Sequence, residues 1–276
     1  MRVHILQMDT VWEDKAENRR RIAAALDASL GREPGHAAGY PPGSAGNSAA
    51  PLVLLPEMSL TGFTMDADAH GDMAAADADR EFFAALAARH SAALVAGYAD
   101  VPDTIELQAA RNLAGAWGPD GSRLAEYQKN YPFSLSGEDM AYAAGCETAS
   151  FETGGMSFAL AICYDLRFPE LFRRQAGQVD GYIVIANWPA KRAEHWRTLL
   201  RARAIENQAW VIGVNRIGVD GYGVEYSGDS VIIDPFGGIL AEAGSGEPVL
   251  SADIDPDRVA EVRERYPFLA DRKSGN

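Results

Sequence analysis

The sequence predicts an α/β protein with mixed sheets, because short apolar runs alternate with amphipathic stretches along most of its 276 residues. Two pairs of neighbouring apolar runs are joined by turn-forming residues at 119–122 and 234–238, which predicts antiparallel hairpins beside parallel strands. No change of composition divides the chain, so residues 1–276 are expected to form a single domain.

The first half of the chain is predicted to begin with an apolar strand over residues 3–8. Apolar side chains then recur at helical spacing over residues 15–30, which predicts an amphipathic helix. Residues 31–51 are rich in Gly, Ala, Pro and Ser and are expected to form a mobile surface loop. The elements that follow are a strand at 52–56, a helix at 77–90, a strand at 93–98 and a hairpin of strands 111–117 and 124–128.

The second half repeats this alternation of strands and helices. A near-continuous apolar run over 156–162 predicts a buried strand that stops at Cys163, where a helix is expected to start. The later predicted elements are a strand at 182–186, a helix at 194–207, a strand at 210–214, a hairpin of strands 229–233 and 239–243, a strand at 249–254 and a helix beginning at 256.

Polar side chains stand where apolar strands finish, namely Glu57, Cys163, Asn187 and Asn215, and Lys129 follows the predicted strand 124–128. In α/β sheets, ligands bind outside the carboxyl ends of the strands. Each of the two asparagines could equally be a cap or turn residue, and that reading is favoured for Asn215. An acid, an amine and a thiol at strand ends supply a base, an electrostatic clamp and a nucleophile for hydrolysis.

Cys163 is the central residue of this pattern, because it is predicted to lie at a strand-to-helix elbow. The start of a helix and a nearby ammonium both lower the pKa of a thiol, so a reactive thiolate is expected. The alternative is an inert buried cysteine, which is the usual state of a free cysteine in a protein core.

The composition indicates a small-molecule partner. With a formal net charge of −14, the chain lacks the basic surface that binding to nucleic acid or to an anionic membrane requires. The two cysteines do not show the spacing of a disulfide framework, and the N-terminus has the pattern of a strand rather than of a signal peptide. Both observations predict a cytoplasmic protein. The five histidines show no metal-binding spacing, so neither a metal nor another cofactor is expected.

Three motifs carry a resemblance to a known family: Leu-Pro-Glu57-Met-Ser, Tyr-Gln-Lys129-Asn-Tyr and Ile-Cys163-Tyr-Asp-Leu-Arg. Their residues and their order resemble the carbon–nitrogen hydrolases of the nitrilase superfamily. The later blocks 186–190, 201–208 and 226–230 resemble the ω-amidase and deaminated glutathione amidase branch. The resemblance implies a four-layer α-β-β-α sandwich with two mixed sheets.

The resemblance also implies roles for individual residues. Glu57 would be the general base, Lys129 the oxyanion stabiliser and Cys163 the nucleophile, and Glu138 would be a second glutamate that holds Lys129. The substrate-binding candidates are Tyr131, Tyr164, Arg167, Asn187 and Trp188. A homodimer or larger assembly is expected, with its contact face on the helix after the nucleophile at Phe168, Leu171 and Phe172.

Several of these candidates have a structural alternative. Tyr131 stands where many relatives have histidine, so the pocket is expected to differ there. Arg167 could bind a substrate carboxylate or form an ion pair with Asp165 or Glu170, and Trp188 could line the pocket or fill the core.

The function that follows is a cysteine-dependent amidase, which hydrolyses the terminal carboxamide of a small 2-oxo acid amide through a thioester and releases ammonia. The same residues could instead cleave a nitrile or an N-carbamoyl amino acid. Two other hypotheses are a Cys–His hydrolase that uses His195 and a non-catalytic binding protein.

Overall fold

The computed structural model describes residues 1–30, 49–67, 73–101, 110–246 and 248–273. In these ranges the strands are β1 Arg2–Leu6, β2 Leu52–Leu54, β3 Ala93–Asp100, β4 Arg111–Trp117, β5 Arg123–Gln128, β6 Ser150–Thr153, β7 Met156–Ile162, β8 Gly181–Ala186, β9 Trp210–Asn215, β10 Ile217–Val219, β11 Glu225–Ser227, β12 Val231–Ile233, β13 Ile239–Glu242 and β14 Val249–Asp253. The α-helices are α1 Lys15–Leu30, α2 Met73–His90, α3 Glu138–Ala141, α4 Pro169–Arg174, α5 Ala193–Asn207 and α6 Arg258–Arg265. Short 3-10 turns occur at Ser134–Ser136, Cys163–Arg167, Ala190–Arg192 and Phe268–Asp271.

Twelve of the fourteen strands in the described ranges form two six-stranded mixed sheets, and β10 and β11 form a separate antiparallel pair. Sheet one has the order β14-β1-β2-β3-β4-β5, and sheet two has the order β13-β12-β9-β8-β7-β6. The strands β1, β2 and β3 pair in parallel, as do β7, β8 and β9, while antiparallel strands flank each group. The two predicted hairpins are confirmed as β4–β5 and β12–β13.

The sheets lie face to face with helices on their outer sides. Leu52 and Leu54 of β2 belong to one apolar cluster with Ile183 of β8 in the other sheet. The alternate residue Val53 belongs to a second cluster, formed with side chains of α1 and α2. A strand whose side chains alternate between two buried faces is the middle layer of a sandwich, so the predicted four-layer architecture is confirmed.

Helix α5 covers the outer face of sheet two. It lies so close to β9 that a Cβ on Gly213 would come within 2.4 Å of Leu200 Cδ1 and 2.9 Å of Trp196 Cζ2. Only a glycine allows this approach of helix to strand. None of the helices in the described ranges is long and apolar enough to cross a membrane.

Some predictions about the chain differ from the structure or fall outside it. Residues 31–48 of the predicted loop at 31–51 lie outside the described residues. Leu171 and Phe172 are 3% and 1% exposed and belong to the core of the chain. The prediction that they form a contact face between subunits is therefore wrong, because burial inside the subunit already covers them.

Candidate active site

The topology brings the ends of several strands to one place between the sheets. Because β7, β8 and β9 are parallel, the residues that follow or end them, Cys163, Asn187 and Asn215, lie at one edge of sheet two. Sheet one contributes Glu57, three residues after β2, and Lys129, directly after β5.

Lys129 lies between two carboxylates in the interior. Its Nζ donates to Glu57 Oε1 at 2.9 Å and to Glu138 Oε1 and Oε2 at 2.9 and 2.8 Å. The exposed fractions of these residues are 1% for Lys129 and 0% for both glutamates. The structure thus brings together the three charged residues that the motifs and the resemblance pointed to.

The charges in this cluster set the pKa of the ammonium. Burial alone would lower the pKa of Lys129, but the carboxylates of Glu57 and Glu138 outweigh that effect and raise it well above its ordinary value. Lys129 therefore stays charged, and the three side chains carry a net charge of −1 when both glutamates are ionised.

Asn112 of β4 is a member of the site that the sequence analysis missed. Its Nδ2 donates to Glu57 Oε1 and to Glu138 Oε1, at 2.8 Å in each case, and the residue is 1% exposed. Its two N–H groups hold both carboxylates beside the ammonium. A signal was present, since asparagine is depleted in strands and this one interrupts an apolar strand.

Asn187 connects Glu57 to the opposite sheet. Its backbone N–H donates to Glu57 Oε2 at 2.8 Å, and its Nδ2 donates to the Glu57 carbonyl at 2.8 Å. The carbonyl of Asn187 lies 3.8 Å from the Sγ of Cys163. The predicted substrate-binding residue Asn187 therefore lies beside Cys163 and holds Glu57 in place.

Asn215 has the structural role that was favoured for it. Its Oδ1 accepts the N–H of Trp188 at 2.7 Å, and its Nδ2 donates to the carbonyls of Trp188 and Gly228. These bonds hold the segment after β8 in place.

Cys163 begins a 3-10 turn rather than an α-helix, and its backbone has a φ of 46°. A non-glycine residue in this left-handed region costs on the order of 1–3 kcal/mol, which the surrounding structure must offset. The conformation makes a sharp elbow between β7 and the turn.

The pKa of the Cys163 thiol is shifted in the direction opposite to the expected one. Burial and the negative charge of Glu57 raise the pKa well above its ordinary value, although Lys129 and the Asn187 contact act against the rise. The expectation of a lowered pKa is therefore wrong. The resting residue is therefore a neutral thiol.

A cavity of about 760 Å³ opens above the thiol, within the range of small-molecule sites. Of the predicted residues, Cys163, Tyr164, Arg167, Asn187 and Trp188 line it.

Tyr131 is not among the residues that line this cavity. Its ring stacks on Phe168 with centroids 3.8 Å apart. Phe133, two residues later, lines the cavity instead and contacts the ring of Tyr164 at 4.9 Å. The prediction that Tyr131 binds substrate is therefore not supported by its position.

Arg167 lies over the ring of Trp188 at 4.9 Å, and its Nη2 lies 3.2 Å from His195 Nδ1. No salt bridge between described residues involves Arg167, so the predicted structural ion pairs with Asp165 and Glu170 are not formed. His195 is exposed, hydrogen-bonded to Arg167 and absent from the cavity lining. The position of His195 therefore does not support the hypothesis that it is the base for Cys163.

In the ranges that the structure describes, no three His, Cys, Asp or Glu side chains are placed so that they could hold a metal ion. The site consists of a thiol, two carboxylates and an ammonium, and these groups can carry out acyl transfer through covalent catalysis.

The family model for carbon-nitrogen hydrolase matches residues 2–264. The chain is 36% identical over 278 residues to omega-amidase YafV of Yersinia enterocolitica, covering 98% of this chain and 96% of that protein. It is 36% identical to 2-oxoglutaramate amidase of Bacillus subtilis, covering 80% of this chain and 85% of that protein.

A solved CN-hydrolase superfamily protein from Xanthomonas campestris, which holds an arsenic adduct in its active site, superposes with a TM-score of 0.86 and 33% identity. The alignment covers 100% of this chain and 98% of that one. Family model, relatives and fold agree, and the chain belongs to the carbon–nitrogen hydrolase family.

Proposed function

We propose that this protein is a cysteine-dependent amidase that hydrolyses the terminal carboxamide of a small 2-oxo acid amide, 2-oxoglutaramate or a close analogue. The observation that carries the proposal is the buried Glu57–Lys129–Glu138 cluster, which Asn187 connects to Cys163 in the wall of the cavity. The similarity to an omega-amidase and to a 2-oxoglutaramate amidase supports the choice of substrate.

The first half of the proposed reaction forms a thioester. Glu57 accepts the thiol proton as Sγ of Cys163 attacks the carboxamide carbon. Lys129 and the backbone N–H of Tyr164 stabilise the oxyanion, since the first N–H groups of a turn have no partner within it. The C–N bond then breaks, and the proton on Glu57 passes to the leaving nitrogen, which departs as ammonia.

The second half returns the enzyme to its resting state. Glu57 takes a proton from water while the hydroxide attacks the thioester carbon. The product leaves as a carboxylic acid, which loses its proton to the solvent, and the sulfur regains its proton from Glu57. Glu138 and Asn112 hold Lys129 and Glu57 in position through both steps.

The cavity wall favours an anionic substrate. Three basic residues, Arg167, Lys191 and Arg192, line the cavity beside two acidic ones, Asp220 and Glu225, so basic residues are in excess on the wall. The chain as a whole carries a formal net charge of −14, and this excess of cations is opposite in sign to the charge of the whole protein. They suit the carboxylate of a 2-oxo acid, which an arginine can bind in bidentate fashion.

The proposal includes no metal or organic cofactor, since every proton and bond in the scheme is accounted for by side chains and water. It also includes a homodimer or larger homo-oligomer in the cytoplasm. Both cysteines are free, Cys146 exposed and Cys163 buried, which is compatible with a reducing compartment.

The experiment is an ammonia-release screen of the wild-type protein over 2-oxoglutaramate, 2-oxosuccinamate, deaminated glutathione, simple nitriles and N-carbamoyl amino acids. The expected result is ammonia without carbon dioxide from the 2-oxo acid amides, and none from Cys163→Ala. Carbon dioxide from a carbamoyl substrate, or turnover of a nitrile alone, would replace the proposal with the corresponding alternative. Absence of turnover across the screen would favour a binding protein.

A further inference from the structure

Asp165 is a buried carboxylate that the scheme above does not use. It lies two residues after Cys163 and is 0% exposed. Its Oδ2 accepts the N–H of Ile162 and the hydroxyl of Tyr127, both at 2.8 Å, and its Oδ1 accepts the N–H of Tyr131 at 3.0 Å.

These three donors flank two of the proposed catalytic residues. Ile162 directly precedes Cys163, while Tyr127 and Tyr131 stand two residues before and two residues after Lys129. The hydroxyl of Tyr127 also accepts the N–H of Asn130 at 3.3 Å. One carboxylate therefore joins the end of β5 in sheet one to the end of β7 in sheet two.

The arrangement requires an ionised carboxylate. A carboxylate only accepts hydrogen bonds, so it can bind all three donors described above. A protonated acid or an amide at this position would itself carry a donor, and that donor would face one of these three. Burial raises the pKa of Asp165 to about 7, against the opposing effects of the Ile162 N–H, the Lys129 charge and the Tyr127 hydroxyl. The fraction of Asp165 that is ionised therefore changes near neutral pH.

We propose that Asp165 is a positioning residue for the reaction, whose carboxylate holds the Lys129 segment against the Cys163 turn so that ammonium and sulfur keep the separation needed for attack. The reaction itself rests on the function proposed above, while the bonds of Asp165 stand independently of it. Misplacement of reacting groups by about 1 Å can reduce a rate by roughly 100-fold.

The titratable and charged groups around Asp165 come from three elements. Tyr127 and Lys129 face it from the end of β5, Cys163 lies in the same turn, and Arg203 of α5 donates to the carbonyl of Leu166 at 2.7 Å. Arginine keeps its charge throughout the working pH range, and the pKa of Tyr127 is raised well above its ordinary value by burial and by Asp165. Near pH 7 neither residue changes its charge.

The experiment compares kcat and KM from pH 5 to 9 for the wild type and for Asp165→Asn, Tyr127→Phe and Asp180→Asn. Asp180 is the matched control, because it accepts the N–H and hydroxyl of Ser157 at the other end of β7, at 2.8 and 2.9 Å. Thermal unfolding establishes that each variant is folded.

For Asp165→Asn we expect kcat at pH 8 to fall by about 10- to 100-fold, with a smaller change in KM. In the wild type, kcat should decline as the pH drops below about 7, and this decline should be absent from the variant. Tyr127→Phe removes one donor and keeps the carboxylate, so it should lower kcat and shift the decline to higher pH. Asp180→Asn should change stability alone.

A folded Asp165→Asn protein with kcat within about threefold of the wild type and an unchanged pH profile would overturn the proposal. Should that variant fail to fold, an unchanged kcat and profile in Tyr127→Phe would overturn it equally. A wild type that releases no ammonia would count against the proposed function instead. The positioning role would then be tested by iodoacetamide labelling of the Cys163 peptide, which a loosened turn should quicken more than threefold relative to Asp180→Asn.

Discussion

The ammonium of Lys129 lies between two buried carboxylates, so replacing it by methionine should damage both the fold and the reaction. Methionine matches the length of the aliphatic stem but removes three hydrogen bonds, one to Glu57 and two to Glu138. The variant would hold two carboxylates in the interior with Asn112 as the shared donor.

The expected loss of stability follows from burial. Lys129 is 1% exposed and both glutamates are 0% exposed, so solvent cannot screen the charges that remain. Removing one partner of a buried ion pair costs about 3–5 kcal/mol. For a chain of this size, that corresponds to a fall in Tm of roughly 6–20 °C.

The assay is thermal unfolding of the wild type, Lys129→Met and Lys129→Met/Glu138→Gln at pH 7.5. The double variant removes one buried charge and should regain a large part of the lost Tm without regaining activity. Lys191→Met, at an exposed lysine, controls for the substitution itself. A Tm for Lys129→Met within about 2 °C of the wild type at pH 7.5 would refute the reasoning that Lys129 offsets two buried charges.

Three further predictions concern the same site. Asn112→Ala should lower kcat by about tenfold and cost about 1–3 kcal/mol, because both carboxylates lose a buried donor; unchanged kinetics and Tm would contradict this. Gly97→Ala should reduce activity strongly, because the added Cβ would lie 2.5 Å from Glu57 Cα and displace that residue. Gly244→Ala should keep its activity, because its Cβ would meet nothing within 4 Å. Equal activity of the two variants would show that Gly97 does not position Glu57. Iodoacetamide should label Cys163 more slowly than the exposed Cys146 at pH 7, because the pKa of Cys163 is raised. The labelling rate of Cys163 should increase as the pH rises to 9. A rate that reaches a plateau below pH 8 would indicate a lowered pKa instead.

The strand ends could be read from the sequence, and with them much of the site. Glu57 and Cys163 each follow an apolar run, and Lys129 follows the second strand of a predicted hairpin, so these strand ends can be recognised without knowing their neighbours in space. The two hairpins were predictable for the same reason, since turn chemistry is a local property, whereas the four-layer architecture was implied by the family resemblance.

What could not be read depends on contacts between distant segments. Asn112 lies inside β4, where only the folded pairing of β3, β4 and β5 shows that it reaches two glutamates. The rise in the Cys163 pKa reflects burial and the charge of Glu57, which lies 106 residues earlier in the chain (163 − 57). Local sequence shows the turn after Cys163 but not the carboxylate brought to it from the other sheet.

The most direct measurement on the proposed chemistry is partitioning of the acyl intermediate by hydroxylamine during turnover of 2-oxoglutaramate. A thioester on Cys163 should react with hydroxylamine as well as with water, so the wild type should form the hydroxamate in proportion to hydroxylamine concentration, and Cys163→Ala should form none. Ammonia release without any hydroxamate at high hydroxylamine, or hydroxamate formation by Cys163→Ala, would contradict a thioester on this residue.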